Sequence, residues 1–310
     1  HERSAPNRSA AESAGDATGM TPASQRPRLT PEVFRLLRDL INASAGLEYH
    51  DDALYAFERR LSERLAALSL PSFNDYYQYL RLSRGGAAEL EEALDLLTTK
   101  ETYFFRQEYQ LRALRDELLP ALAQSNQRSR RLAIWSAGCA TGEEVYSLGI
   151  CVLESKLFEG WDVRVIGSDL SKKSVATARR GVYRPSAFRS TGPEIRRAYF
   201  DERPDGTHVA DAVRRLCHFG QLNLLDASRG SIVGRVDVVL CRNVLIYFDT
   251  QARARVIENL YERLFPGGFL LLGHSESLWN VSTAFELCHL REDLVYRKPV
   301  AAPAPGSLLP

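Results

Sequence analysis

The hydrophobic pattern divides the chain in two. From about Thr30 to Leu97 apolar residues recur at helical spacing. Thr30-Pro31-Glu32 reads as an N-cap with proline in the first turn, and Val33, Leu36, Leu37, Leu40 and Ile41 follow on one face. A second stripe holds Leu54, Phe57, Leu61, Leu65 and Leu68, and a third helix starts at Pro71-Ser72 and carries Tyr76, Tyr77 and Leu80. A fourth helix ends in ALDLLTT. From Arg131 the pattern changes to strand and helix in alternation. Strands are predicted at 132–137, 163–168, 216–222, 236–241 and 269–273, with helices at 172–180 and 251–264. FELCHLREDLVYRK at the end reads as an added edge hairpin. Alternation of this kind predicts an α/β parallel sheet covered on both faces, preceded by a small all-α domain. The expected boundaries are a disordered tail over 1–27, a helical domain over 28–98, an α/β domain over 99–298 and a second tail over 299–310.

Ligands on such sheets sit beyond the carboxyl ends of the strands. There the stretch LAIWSAGCATGEEVYSLGI, residues 132–150, runs from strand through a glycine-bracketed turn, Gly138 to Gly142, into a helix. Glycine permits a tight turn and close approach of a nucleotide-like ligand. Glu143 and Glu144 suit the positive end of the helix that follows. The same carboxylates would repel a pyrophosphate, which competes for that helix end. A cofactor with a nucleoside and a positive charge but no phosphate fits, so S-adenosylmethionine (SAM) is expected. NAD, FAD and ATP fit poorly.

Other candidates each have a plainer reading. Asp169 closes the second strand, where an acid grips ribose hydroxyls; alternatively it is an N-cap. Glu143 is expected to contact the cofactor ammonium, or else only to suit the helix. Asn223 and the Leu224 backbone can address an adenine edge, or form an Asx turn. Arg242 and Asn243 interrupt an apolar run, and Tyr247 follows them; alone, this is a strand end with a core tyrosine. Thr102 and Arg106, four apart, share a face if that segment is helical, and Tyr103, Phe104 and Phe105 are expected to pack the interdomain seam. Arg59, Arg60 and Arg64 read as a solvated face, with docking to an acidic partner as the sharper alternative.

Bulk properties narrow the classes. A formal net charge of +1 gives no support for nucleic-acid binding. Five scattered cysteines with no C-x-x-C pair read as reduced thiols in the cytoplasm. No metal-ligand spacing, membrane span or signal-peptide core is present. Met20 is the only methionine, which makes residues 1–19 candidate upstream sequence.

TTKETYFFR, WSAGCATGEEVYSL, GSDLS, ARRGVY, QLNLL, CRNVLIYFD and PGGFLLLGHSESL, in that order, resemble the chemotaxis receptor methyltransferases, the CheR family. The resemblance covers roughly 29–298. It implies a Rossmann-like SAM-dependent methyltransferase sheet with a small inserted β-subdomain. It also implies methylation of glutamate side chains on chemoreceptor cytoplasmic signalling domains. Carried over by position, it places Lys100, Thr102, Arg106, Gly138, Glu143, Asp169, Asn223, Leu224, Arg242 and Asn243 around the cofactor, and Arg106 and Tyr247 at the reacting groups. The family usually has Asn where this chain has Lys100. The segment 200–223, where the β-subdomain is expected, is short, which predicts that a receptor C-terminal tether is not gripped. A carboxylate is already ionised near neutral pH, so no catalytic His or Cys is expected. A monomer is expected, and the alternatives are a non-catalytic SAM-binding signalling module and a methyltransferase for another substrate.

Overall fold

The computed structural model describes residues 27–230 and 233–300. Most of the two expected tails therefore lies outside the described residues. Helices α1 (Pro31–Ala45), α2 (Leu54–Ala67), α3 (Phe73–Leu82) and α4 (Gly86–Leu97) form the N-terminal domain. The Thr30 hydroxyl accepts from the Val33 N–H, and Gly46 ends α1 at φ 70°, a conformation that suits glycine. α5 (Glu108–Ala113) continues through a π-helical turn, Leu114–Leu118, into α6 (Leu119–Ser125).

The α/β part then follows as β1 (Arg131–Ala137), α7 (Glu143–Ser155), β2 (Asp162–Asp169), α8 (Lys172–Arg180), β3 (Val182–Tyr183), α9 (Pro193–Tyr199), β4 (Phe200–Arg203), β5 (Gly206–Val209), α10 (Asp211–Arg214) and β6 (Cys217–Gln221). It ends with α11 (Ala227–Gly230), β7 (Val236–Cys241), α12 (Thr250–Arg263), β8 (Leu264–Leu272), β9 (Glu286–His289) and β10 (Leu294–Arg297).

The main sheet runs β6-β2-β1-β7-β8-β10-β9. Its first five strands are parallel, and β10 is antiparallel to both neighbours. The order reverses between β1 and β7, so their carboxyl ends flank the switch point where a ligand crevice forms. Alternation along β1 supplies two cores. Trp135 and Ala137 face the cluster shared with α1–α4 and α12, through Leu37, Ile41, Val256 and Leu260. Leu132 and Ile134 face the other, with α5–α7 and Leu114, Leu118 and Leu148. The helical domain thus shares one continuous core with the sheet. Among the described residues no helix is long and apolar enough to cross a membrane.

Three local expectations are corrected. The inserted β-subdomain is the antiparallel sheet β3-β5-β4. It begins at Val182, so the segment 200–223 holds only two of its strands and its length carries no argument about a tether. Tyr103, Phe104 and Phe105 lie on a non-helical turn before α5. Phe104 packs not on the helical domain but among Tyr183, Phe188 and Phe200, with ring centroids 4.8–4.9 Å apart. β8 starts at Leu264 rather than after Pro266-Gly267-Gly268, and the register shift between Val236 and Val238 absorbs the proline.

Candidate active site

β1 ends into the glycine turn. Gly138 and Cys139 donate their N–H groups to Ser168 O at 2.8 and 2.9 Å. Gly138 stands at φ 85°, and a Cβ there would lie 2.5 Å from Val244 Cγ2. Glycine is therefore required twice, by backbone conformation and by the close approach of the β7 loop. Asp169 braces the turn from the end of β2: its carboxylate accepts from the Ala140 N–H at 2.8 Å and the Ser171 N–H at 2.9 Å. The helix cap is Ser171, whose hydroxyl accepts from the Ser174 N–H. Burial pushes the Asp169 carboxyl above its ordinary range, against the pull of these two donors.

A cleft of about 330 Å³ opens over this turn, within the ordinary range of small-molecule sites. Of the candidates, Thr102, Arg106, Gly138, Asp169, Asn223, Leu224, Arg242, Asn243 and Tyr247 line it. Lys100 and Glu143 do not. Glu143 is buried under the turn, where it accepts from the Thr141 hydroxyl at 2.7 Å and burial raises its pKa. The next residue, Glu144, lines the cleft instead. It accepts from the Ser136 hydroxyl and from Arg242 Nε, each at 2.7 Å. The Asn223 side chain is committed: its amide donates to Ser44 O at 2.8 Å and its oxygen accepts from the Leu225 N–H at 3.1 Å. The Leu224 carbonyl is engaged as well, accepting from the Asn259 amide at 2.9 Å.

Lys100 clamps the domains together. Its ammonium pairs with Asp95 of α4 at 2.8 Å, and Asp95 also accepts from the Ser171 hydroxyl at the start of α8. Burial alone would raise the Asp95 pKa, but the bonds from Lys100 and Ser171 and the charges of Lys100 and Lys173 outweigh it, so the net direction is down. A depressed carboxyl contributes stability above its unfolded pKa and loses it as pH falls through the folded one. Lys100→Ala is expected to cost about 1–2 kcal/mol near pH 7, between an exposed and a buried pair. Urea unfolding at pH 7 and pH 3 measures this; a gap from the parent that does not shrink in acid sinks the assignment.

The helical domain contributes what sequence reasoning missed: Ala45, Leu47, Tyr49 and Arg60 all line the cleft. Tyr49 donates to Leu97 O at 3.1 Å, and burial pushes its hydroxyl up to about 12. Arg60 donates to Leu97 O at 2.8 Å, and Arg64 forks onto Glu89 at 2.8 and 2.6 Å. Two arginines of the basic patch are thus internal fasteners, and Arg59 alone of the three is exposed. Leu47 bridges Phe248, and Glu48 N–H donates to Tyr247 O at 2.8 Å, which ties this domain to the loop after β7. No sequence pattern announces contacts across 200 residues.

The residues fit an adenosine cofactor bearing a sulfonium. The turn leaves no room for a side chain at Gly138, and Asp169 at the end of β2 and Glu144 at the start of α7 put two carboxylates on the cleft wall, the second paired with Arg242. A parallel sheet with an antiparallel strand inserted between its last two, and this site at its switch point, defines a SAM-dependent methyltransferase. The family description "CheR methyltransferase, SAM binding domain" matches residues 100–294, and "CheR methyltransferase, all-alpha domain" matches 32–98. The chain belongs to the CheR methyltransferase family. It is 34% identical over 273 residues to chemotaxis protein methyltransferase 2 of Vibrio cholerae, covering 87% of this chain and 94% of that one. It is 33% identical over 272 residues to chemotaxis protein methyltransferase 1 of Pseudomonas aeruginosa, covering 85% and 97%.

Proposed function

We propose that the protein, acting as a cytoplasmic monomer, methylates glutamate side-chain carboxylates on a chemoreceptor signalling domain. The observation that carries this reading is the make-up of the cleft: Arg106 and Tyr247 line it together with the glycine turn and Asp169. SAM, held by the glycine turn and Asp169, would supply an electrophilic methyl group to a carboxylate oxygen, giving a methyl ester and S-adenosylhomocysteine with no proton to move. The protein's part is alignment and exclusion of water. Charge is annihilated in the step, since an anion and a sulfonium give two neutral products. A desolvated cleft strengthens that attraction relative to water.

Arg106 holds and aims the carboxylate, and Tyr247, 37% exposed at the cleft wall, orients it by a hydrogen bond. Asp169 and the backbone around Leu224 grip the nucleoside. Cys139 also lines the cleft, but burial raises its thiol well above the ordinary range, so the nucleophilic thiolate is suppressed.

The test combines purified protein, methyl-labelled SAM and a receptor signalling fragment. Label on the fragment, released as methanol by mild base, is expected. Base-stable label would move the protein to N-methyl or other methyl transfer. Tight S-adenosylhomocysteine binding with no label across a panel of receptors would make it a non-catalytic signalling module.

A further inference from the structure

The loop Asn243–Ile246 carries residues into the cleft and runs into a single 3-10 turn, Leu245–Tyr247, whose own N-terminal N–H groups have no partner within the turn. Asn243 stands at φ 59°, a left-handed conformation that asparagine adopts more readily than other non-glycine residues. One carboxylate collects the backbone N–H groups that follow. Glu276 Oε2 accepts from the N–H groups of Gly273 and Asn243, each at 2.7 Å. Glu276 Oε1 accepts from Val244, Leu245 and Ile246 at 2.9, 2.8 and 3.3 Å. Five backbone donors converge on a single side chain, and bonds to an ionised acceptor are about twice as strong as neutral ones. The site is built around it: a Cβ on Gly273 would lie 2.6 Å from Glu276 Oε2 and 2.9 Å from Asn243 N.

We propose that Glu276 is a positioning residue for methyl transfer. Its carboxylate gathers the N–H groups of Asn243–Ile246 and so sets where Asn243 and Tyr247 stand in the cleft. It acts through the loop and touches neither the cofactor nor the carboxylate being methylated. The inference rests on the cleft being the methyl-transfer site. Two of its readouts, S-adenosylhomocysteine binding and amide exchange, need no receptor, so a wrong receptor leaves them intact.

Glu276→Gln keeps the shape but turns an NH₂ group toward backbone donors. In the full-length protein it is expected to accelerate amide exchange at 243–246, to weaken S-adenosylhomocysteine binding at least about tenfold, and to lower kcat by up to about 10²-fold, the cost of displacing reacting groups by about an ångström. A purely structural glutamate would lower the unfolding midpoint and the active fraction while leaving the KM for SAM of the folded molecules unchanged. Gly273→Ala is the second variant, because it pushes the carboxylate off its donors without removing its charge. The two defects should be non-additive in the double variant, since both act through the same contact. Parental kcat and exchange rates in folded Glu276→Gln, or fully additive effects with Gly273→Ala, would overturn the proposal.

Discussion

Arg242→Met is expected to destabilise the protein by about 3–5 kcal/mol, the usual cost of leaving one partner of a buried ion pair uncompensated. The Arg242 side chain is 2% exposed and that of Glu144 is 13% exposed, at an N–O distance of 2.7 Å. The guanidinium makes three further bonds. It donates to Gln110 Oε1 at 3.0 Å, to Gln107 Oε1 at 3.4 Å and to Arg106 O at 2.9 Å. It therefore fixes both Glu144 and the segment that presents Arg106. Adding Glu144→Leu should recover part of the stability, because the stranded charge is gone. It should not recover methyl transfer, because the anchors at 106, 107 and 110 remain absent. Urea unfolding with calorimetry of S-adenosylhomocysteine binding measures both. A single-variant loss under about 1 kcal/mol would mean that the pair is solvated.

Arg106→Ala is expected to act in the opposite way, on rate rather than stability. Its side chain is half-buried at the cleft, donates to Glu101 O at 2.7 Å and lies 5.9 Å from the centre of the Tyr103 ring. Losing this hydrogen bond costs about 0.5–1.5 kcal/mol of stability, well below the cost at Arg242. Losing the group that aligns the carboxylate should lower kcat by about 10²-fold at saturating SAM. Arg106→Lys should recover only part of the rate, because a point charge lacks the planar fork that matches a carboxylate. Initial rates on the receptor fragment read the effect. A kcat within threefold of the parent at unchanged Tm would remove Arg106 from the mechanism.

The contrast between these two arginines shows what a linear pattern can carry. Arg242 is a candidate because it interrupts an apolar run, and Arg106 because it lies four residues after Thr102 at the domain junction. Only their neighbours separate them. Both line the cleft, but Arg242 is spent on Glu144 and Gln110, whereas among the described residues the Arg106 guanidinium bonds only to the Glu101 carbonyl. The same limit explains Glu143 and Glu144. One acid of the pair was expected at the cleft, and α-helical geometry, about 100° per residue, decides that the second faces it. Lys100 looked like a departure at the cofactor, but it spends its charge on Asp95.

Local signals were determined by sequence because they are satisfied locally. The helices with their Thr30, Ser72 and Asp249 caps need only neighbours within a few residues, and the buried strands and the glycine turn announce themselves by residue type although distant partners complete them. From these follow the α/β class, the preceding helical domain and a nucleoside cofactor carrying positive charge. Tertiary structure alone decided which side chains meet. The helical domain lends Tyr49 and Arg60 to the cleft, Asn223 spends its amide on Ser44, and Glu276 collects the loop after β7. Each of these joins residues about 30 to 180 positions apart. The physical reason is that a hydrogen bond or ion pair depends on distance and direction in space, and no period along the chain encodes either once the segments are brought together by the shared core.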